Sequence, residues 1–178
     1  MTQFSPLAAA NFFITDVSGS RGVEHMKLQK LVYFAHGWWL TAYPQSFLNE
    51  RPQIWKHGPL FISLYHVLKT FGGSPIAVAQ SSNPFTRPDE IPAAENDIRA
   101  LLGWIWQRYG HLSSFALSDM THRPGTAWSR VAKERNFSVP RGLEISDEYI
   151  REEFLSKSAN VDVSREGIDL DGRGTTAA

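Results

Sequence analysis

The chain has 178 residues, of which 42% are hydrophobic and 20% charged, and its 18 Lys and Arg are balanced by 18 Asp and Glu. A chain of this length and apolar content is expected to bury one hydrophobic core. The absence of cysteine excludes disulfides, thiolate nucleophiles and cysteine-ligated metal sites. Zero net charge disfavours nucleic acid as the main ligand, because nucleic-acid-binding domains rely on a broad positive field.

No segment predicts insertion into a membrane. The longest mostly apolar stretch, residues 31–42, is shorter than the roughly 20 residues that a membrane helix needs. The start of the chain also lacks the basic residues and the apolar run of a signal peptide. We therefore expect a cytoplasmic protein without a membrane partner.

Apolar residues recur at helical spacing along most of the chain. This spacing predicts helices over residues 5–17, 24–43, 57–71, 93–109, 114–121, 126–135 and 147–155. Ser5 and Pro6 suit the start of the first helix, and His57-Gly58-Pro59 is expected to open the third. Short strands are predicted near residues 47–56 and 76–79, the second of them within a proline-rich connector over residues 74–92.

The predicted fold is mainly α. We expect a compact single-domain helical bundle of about six to seven helices over residues 1–155, with a small β element near residues 47–56 and 76–79. Residues 156–178 are mostly small and polar and include glycine. They are predicted to form a disordered C-terminal tail, because they bury too little apolar area to offset the entropy lost on ordering.

Six tryptophans are the most distinctive feature of the composition. Trp38 and Trp39 are adjacent, and Trp104 and Trp106 are two residues apart, so the members of each pair point in different directions on a helix. We therefore expect at least one tryptophan of each pair to be partly exposed. Exposed tryptophan is typical of protein–protein interfaces, and packing at the edge of the core is the alternative of equal weight.

The six histidines do not predict a metal site, because none forms the His-Glu-x-x-His pattern. His122 and Asp119 lie one helical turn apart, a spacing at which a carboxylate can orient an imidazole for acid–base catalysis. No Gly-x-Ser-x-Gly nucleophile accompanies them. The favoured alternative is that the pair holds a helix end before the Pro124-Gly125 turn. For His36, a structural hydrogen bond to a nearby carbonyl is favoured over catalysis.

Lys27 and Lys30 on the second predicted helix have two interpretations. They can contact a phosphate or another anion, or they can form a solvated helix face, which is the commoner case. With Arg21 they are the only clustered basic residues early in the chain, which keeps DNA binding as a distant alternative. Lys27, Lys30, Tyr33, Trp55 and His122 are candidates for a polar and aromatic pocket. No cofactor is predicted.

Three separated segments carry specific motifs. They read MKLQKLVYFAHGW at residues 26–38, IWKHGPLFISLY at residues 54–65, and LSDMTHRPGTAW at residues 117–128 followed by ISDEYI at residues 145–150. In order and spacing these segments resemble the Panacea domain family of SocA-like and GepA phage-associated antitoxins. The resemblance extends from about residue 11 to residue 154.

This resemblance implies a mostly helical antitoxin that binds and neutralises a toxin protein and has no catalytic activity of its own. Family members of the SocA type also deliver a toxin to a Clp-type protease, which makes a proteolytic adaptor the first alternative. A small hydrolase-like enzyme that uses His122 and Asp119 is the second. The toxins paired with this family vary and include RelA/SpoT-type alarmone synthetases. The candidate partner-binding or motif residues are Lys27, Lys30, Tyr33, His36, Trp38, Trp39, Trp55, Tyr65, Thr121, His122 and Trp128.

Overall fold

Seven α-helices, together with one π-helical turn and two 3-10 turns, make up just over half of the described part of the chain, which comprises residues 2–138, Pro140 and residues 142–159 of a computed structural model. The helices are α1 Pro6–Phe12, α2 His25–Ala42, α3 Ile62–Leu68, α4 Asn96–Tyr109, α5 Ser114–His122, α6 Ala127–Glu134 and α7 Asp147–Ser158. A π-helical turn, Phe13–Val17, continues α1, and 3-10 turns lie at Gly19–Arg21 and Lys69–Phe71. The prediction of a mainly α fold is confirmed.

The central element is α2, which packs against α1, α3, α4, α5 and α7. Every residue from 28 to 40 is buried, so this helix is covered on all sides. Trp38 and Trp39 are each only 1% exposed. The prediction that one of them is exposed was therefore wrong, because it assumed that the helix has one solvent face. The other pair behaves as expected, with Trp104 buried and Trp106 half-buried.

Close packing of α7 on α2 depends on Gly37. A Cβ atom added to Gly37 would lie 2.2 Å from the ring of Phe154 on α7. That ring is fully buried and has aromatic neighbours, with centroid distances of 5.8 Å to Tyr33 and 5.6 Å to Trp38. Because the ring is enclosed, it has no free space into which it can move. Helix α7 ends at Ser158, three residues beyond the predicted 155, so residues 156–158 of the predicted tail are helical. From residue 160 onward the predicted tail lies outside the described residues.

Helix starts follow the predicted capping chemistry, with one exception. Ser5 and Ser146 cap α1 and α7, as their side chains accept hydrogen bonds from the amides of the first turn. The exception is α3, which begins at Ile62 instead of His57. The segment before it is extended, because Leu60 forms a bridge with Gln53 and is held there by two backbone hydrogen bonds of 2.7 and 2.9 Å. Pro59 therefore precedes the helix and does not begin it.

The small sheet differs from the prediction. It pairs β1, Val23–Glu24, with β2, Pro75–Ile76, in antiparallel orientation. Strand β2 matches the start of the predicted 76–79 strand, but residues 47–56, where a short strand was also expected, form no strand. In that region Leu48 forms only an isolated bridge with Phe4, and Gln53 forms bridges with Leu60 and Glu144. Strand β1 was missed because it directly precedes α2, and the predicted helix began at Glu24, inside the strand.

The connector between β2 and α4 is fixed to α1 by side-chain hydrogen bonds. Asn11 is 3% exposed and bonds Gln80 through both its amide oxygen and its amide nitrogen, each at 2.8 Å. The Asn11 amide nitrogen also donates to the carbonyl oxygen of Asp89 at 2.8 Å. Within the described residues, no helix is long and apolar enough to cross a membrane.

We expect Gly37→Ala to lower the free energy of unfolding by about 1–3 kcal/mol, because the added methyl group collides with the buried Phe154 ring. Gly103 on α4 provides a matched control, since a Cβ there would meet no atom within 4 Å. Gly103→Ala should stabilise the protein by about 0.5–1 kcal/mol through helix propensity. Urea unfolding of the two variants measures both values, and an equal effect of the two substitutions would contradict the packing argument.

Candidate functional site

Four side chains from three helices donate hydrogen bonds to the backbone carbonyls of one turn, residues 55–59. Trp128 Nε1 donates to Trp55 O at 2.8 Å, His122 Nε2 to Lys56 O at 3.0 Å, Ser118 Oγ to His57 O at 2.9 Å and Lys30 Nζ to Pro59 O at 2.9 Å. These donors belong to α2, α5 and α6. The three motif-bearing segments of the sequence therefore meet at this turn.

Gly58 allows the donors to approach the turn closely. Its φ of +98° lies in the left-handed region that glycine adopts without strain. A Cβ atom at this position would lie 2.4 Å from Thr121 Oγ1 and 2.8 Å from Lys30 Nζ. Any larger residue would therefore displace both side chains from the turn.

Lys30 is buried to an unusual degree for a lysine, with 2% of its surface exposed. Burial lowers the pKa of its amine from 10.5 to about 7, because a low-dielectric environment disfavours the charged form. The amine lies beneath the turn and bonds Pro59 O. Lys30 therefore supports the turn from inside the protein and does not belong to a solvated helix face.

Both ring nitrogens of His122 also contact the backbone. Its Nδ1 lies 2.7 Å from Ser118 O, and its Nε2 lies 3.0 Å from Lys56 O. Asp119 is exposed and makes no hydrogen bond or ion pair within the described part of the chain. The predicted acid–base pair is therefore not formed, because helical spacing makes the two residues neighbours but the imidazole turns toward the carbonyls. The alternative, that His122 holds local structure, agrees with the geometry.

The turn presents a mixed aromatic and basic surface to solvent. Lys56 and His57 are exposed, and Trp55, Tyr65 and Trp128 are half-buried around them. The rings of Trp55 and Tyr65 lie 5.3 Å apart, and those of His122 and Trp128 lie 4.1 Å apart. We call Trp55, Lys56, His57, Tyr65 and Trp128 the turn surface.

His25 lies behind Tyr65 at a ring distance of 5.6 Å. Burial and, to a smaller extent, the charge of Lys30 lower the pKa of His25 to about 4. The imidazole is therefore neutral at physiological pH. It lies 3.3 Å from the Gln29 amide nitrogen, which fits a neutral ring that accepts a hydrogen bond.

Tyr33 lies elsewhere, in a buried polar group inside the α2–α7 contact. Its hydroxyl donates to Glu153 Oε2 at 2.9 Å, and the Ala127 amide donates to the same oxygen at 2.8 Å. Lys157 forms an ion pair with the other oxygen of Glu153. Burial, and then the Glu153 charge, raise the pKa of Tyr33 well above its usual value. This group joins α2, α6 and α7, which is a structural role.

His36 also joins α2 to α7. It is fully buried, and its Nε2 lies 2.9 Å from Asp147 Oδ1 at the start of α7. Burial raises the pKa of Asp147, but the hydrogen bond and charge of His36, together with the charge of Arg51, outweigh this effect and lower it overall. The partner of His36 is therefore a carboxylate and not the predicted carbonyl.

Trp38, Trp39 and Lys27 do not reach the turn either. Trp38 Nε1 donates to the Tyr109 hydroxyl at 3.0 Å, and Trp39 Nε1 donates to Gln45 O at 2.9 Å. Lys27 Nζ donates to Gly110 O at 2.5 Å on a different side of α2. The predicted polar and aromatic pocket therefore contains Lys30, His122 and Trp55, but neither Lys27 nor Tyr33.

Three contributors to these groups were not among the predicted site residues. Gln29 holds Phe61 through two hydrogen bonds, of 2.8 Å from the Phe61 amide and 3.2 Å to its carbonyl. Ser118 donates a hydrogen bond to the turn. Glu153 accepts the hydrogen bond of Tyr33 within the α2–α7 contact. Gln29 had a signal in the sequence, because it lies within the first motif segment, residues 26–38. Among the described residues, no three His, Asp or Glu side chains gather as metal ligands.

We expect the stability of the wild-type protein, relative to Lys30→Met, to increase from pH 7 to pH 10. The folded pKa of about 7 lies below the unfolded value of about 10.4, so the unfolded chain binds more protons in this window. The cost of burying the charged amine applies in full below pH 7 and declines as the pH rises.

Denaturant unfolding of both proteins at several pH values measures this difference. The comparison removes the titration of groups that the two proteins share. His25, which Lys30 influences, has a pKa of about 4 and titrates outside the window. A stability difference that is constant from pH 7 to pH 10 would contradict the assignment.

Comparison with known proteins places this architecture in a family. The chain is 26% identical over 144 residues to antitoxin SocA of Caulobacter vibrioides (strain NA1000 / CB15N), which covers 79% of this chain and 77% of that protein. No solved structure gives a significant match. Residues 28–129, which include the 55–59 turn and all four of its donors, match the model of the antitoxin SocA-like, Panacea domain family. The chain therefore belongs to the antitoxin SocA-like, Panacea domain family.

Proposed function

We propose that this protein is the antitoxin of a toxin–antitoxin system and neutralises its cognate toxin by direct binding in the cytoplasm. Membership of an antitoxin family supports this role. The protein acts as a binding partner and not as an enzyme. His122, the best catalytic candidate of the sequence, has both ring nitrogens occupied by backbone carbonyls, which favours this interpretation.

The observation that carries the proposed binding site is the fixed turn surface. Lys56 and His57 are exposed, but the backbone beneath them is held by four side-chain hydrogen bonds. A preorganised backbone reduces the entropy lost on binding. Half-buried Trp55, Tyr65 and Trp128 supply the aromatic area that dominates binding energy in protein interfaces.

Coexpression with the product of the neighbouring gene tests this function. RelA/SpoT-type alarmone synthetases are the first toxin class to examine, as the family resemblance implies. Wild-type protein should restore growth of cells that produce the toxin. Failure of the wild-type protein to restore growth would contradict the antitoxin role itself.

The double variant Lys56→Glu, His57→Asp should lose this protection. It reverses the charge of the turn surface and alters no buried side chain. The affinity for purified toxin should fall at least about tenfold, as expected for substitutions at the centre of an interface. Lys133→Glu, which changes an exposed lysine of α6 outside the turn surface, is the matched control. A folded double variant that protects as well as wild type would contradict the placement of the site.

A proteolytic adaptor is the second candidate function, in which the protein delivers its toxin to a Clp-type protease. The observation that favours it is Phe85 on the connector, which is 94% exposed. The loop around this side chain is ordered by hydrogen bonds of Asn83 with Phe85 and Thr86. Phenylalanine is enriched at protein–protein interfaces, which makes this exposed side chain the candidate docking residue.

The toxin half-life tests the adaptor role. It should lengthen when cells lack the Clp protease, and Phe85→Ser should lengthen it in cells that contain the protease. Thr70→Ala, at an exposed position outside the connector, is the control substitution. An unchanged half-life in both experiments would exclude proteolysis from the mechanism and leave neutralisation by binding.

A further inference from the structure

A second polar cleft lies away from the turn surface. It has a volume of about 540 Å³ and is bordered by the end of the π-helical turn, the start of α2 and the end of α4. Its lining residues are Val17, Ser18, Arg21, Gly22, Lys27, Trp106, Gln107, Gly110 and His111. None of the five turn-surface residues lines this cleft, so it can be tested separately from the proposed function.

The ionisable side chains that line this cleft are all basic. Arg21, Lys27 and His111 line it, and no carboxylate does. The chain as a whole has equal numbers of acidic and basic residues, so the convergence of these groups is a local feature. Glu24 is close enough to influence Lys27, but its carboxylate accepts a hydrogen bond from Ser114 at 2.8 Å and does not line the cleft.

Two of the basic groups are available to a ligand. Arg21 and His111 are exposed and make no hydrogen bond or ion pair within the described residues. Lys27 Nζ is positioned by its bond to Gly110 O and retains two further N–H donors. Guanidinium, ammonium and imidazole donors together are suited to phosphate oxygens.

The cleft also has an apolar wall. Trp106 is half-buried and packs directly on the backbone, because a Cβ at Gly110 would lie 2.8 Å from its Cδ2 atom. Val17 lies on the same lining. The volume falls within the range of small-molecule sites, about 300–1,000 Å³, and exceeds what one phosphate group needs.

From this arrangement we infer that the cleft binds an organic phosphate, with the phosphate held by Arg21, Lys27 and His111 and the organic group against Trp106. A nucleoside triphosphate is the simplest member of this class, because it carries several phosphates and a flat ring system. Binding there gives the protein a small-molecule ligand in addition to its proposed protein partner.

Calorimetric titration of the full chain with ATP, in low-salt buffer and without toxin, tests this site. We expect saturable binding with one site per chain. Arg21→Gln and His111→Gln should each weaken it about tenfold, because each removes a charge-assisted or direct hydrogen bond to phosphate. Arg135→Gln removes an exposed arginine that does not line the cleft and should leave the ATP affinity unchanged. Unchanged melting temperatures confirm that the variants are folded.

Tripolyphosphate distinguishes the two sources of phosphate. Weaker binding of tripolyphosphate than of ATP supports an organic phosphate whose organic group uses the Trp106 wall, and equal binding of the two contradicts the placement of an organic group against Trp106. The inference is overturned if neither probe binds saturably, or if Arg135→Gln weakens binding as much as Arg21→Gln does. Tighter binding of a polyglutamate peptide or a single-stranded oligonucleotide than of ATP would also overturn it, in favour of a macromolecular ligand.

Discussion

The arrangement of the motif residues depends on the donation of side-chain hydrogen bonds to the backbone carbonyls of the 55–59 turn. An irregular segment packed against helices has to satisfy its polar backbone groups, because unpaired buried carbonyls are costly. Here the donors are Lys30, Ser118, His122 and Trp128, which come from three different helices. Each of these helices must therefore be in place before the turn reaches its observed conformation. The shape of the exposed surface is a property of the whole fold and not of the turn alone.

Helix α2 links the hydrophobic core to this surface. Trp38, Trp39 and Gly37 pack within the aromatic core, and Gln29 and Lys30 near the start of the same helix reach toward residues 59–61. Burial of Lys30 lowers its pKa to about 7, a cost that an apolar residue would avoid. What the lysine provides is a long side chain with a donor at its tip, which reaches the Pro59 carbonyl from inside the protein.

Periodicity predicted the helices well, because apolar spacing reports directly on which residues a helix buries. It failed for Trp38 and Trp39, since a central helix has no solvent face. It also placed the start of α3 too early, because the bridge between Gln53 and Leu60 is a tertiary contact. The motifs indicated which residues matter but not how they act. Spacing alone made His122 a neighbour of Asp119, whereas its ring lies between the carbonyl oxygens of Ser118 and of Lys56, and Lys56 is distant in sequence.

The contact between Gly37 and Phe154 has a consequence for folding during synthesis. Residues 147–158 of α7 cover the aromatic side of α2, but they are made more than a hundred residues after it. Until they emerge from the ribosome, that side of α2 is open to water or to chaperones. Glu153, which joins Tyr33 to the start of α6, is also absent until then. The core therefore closes only after α7 has been made, so a chain that stops before residue 147 lacks the contacts that hold α2, α6 and α7 together.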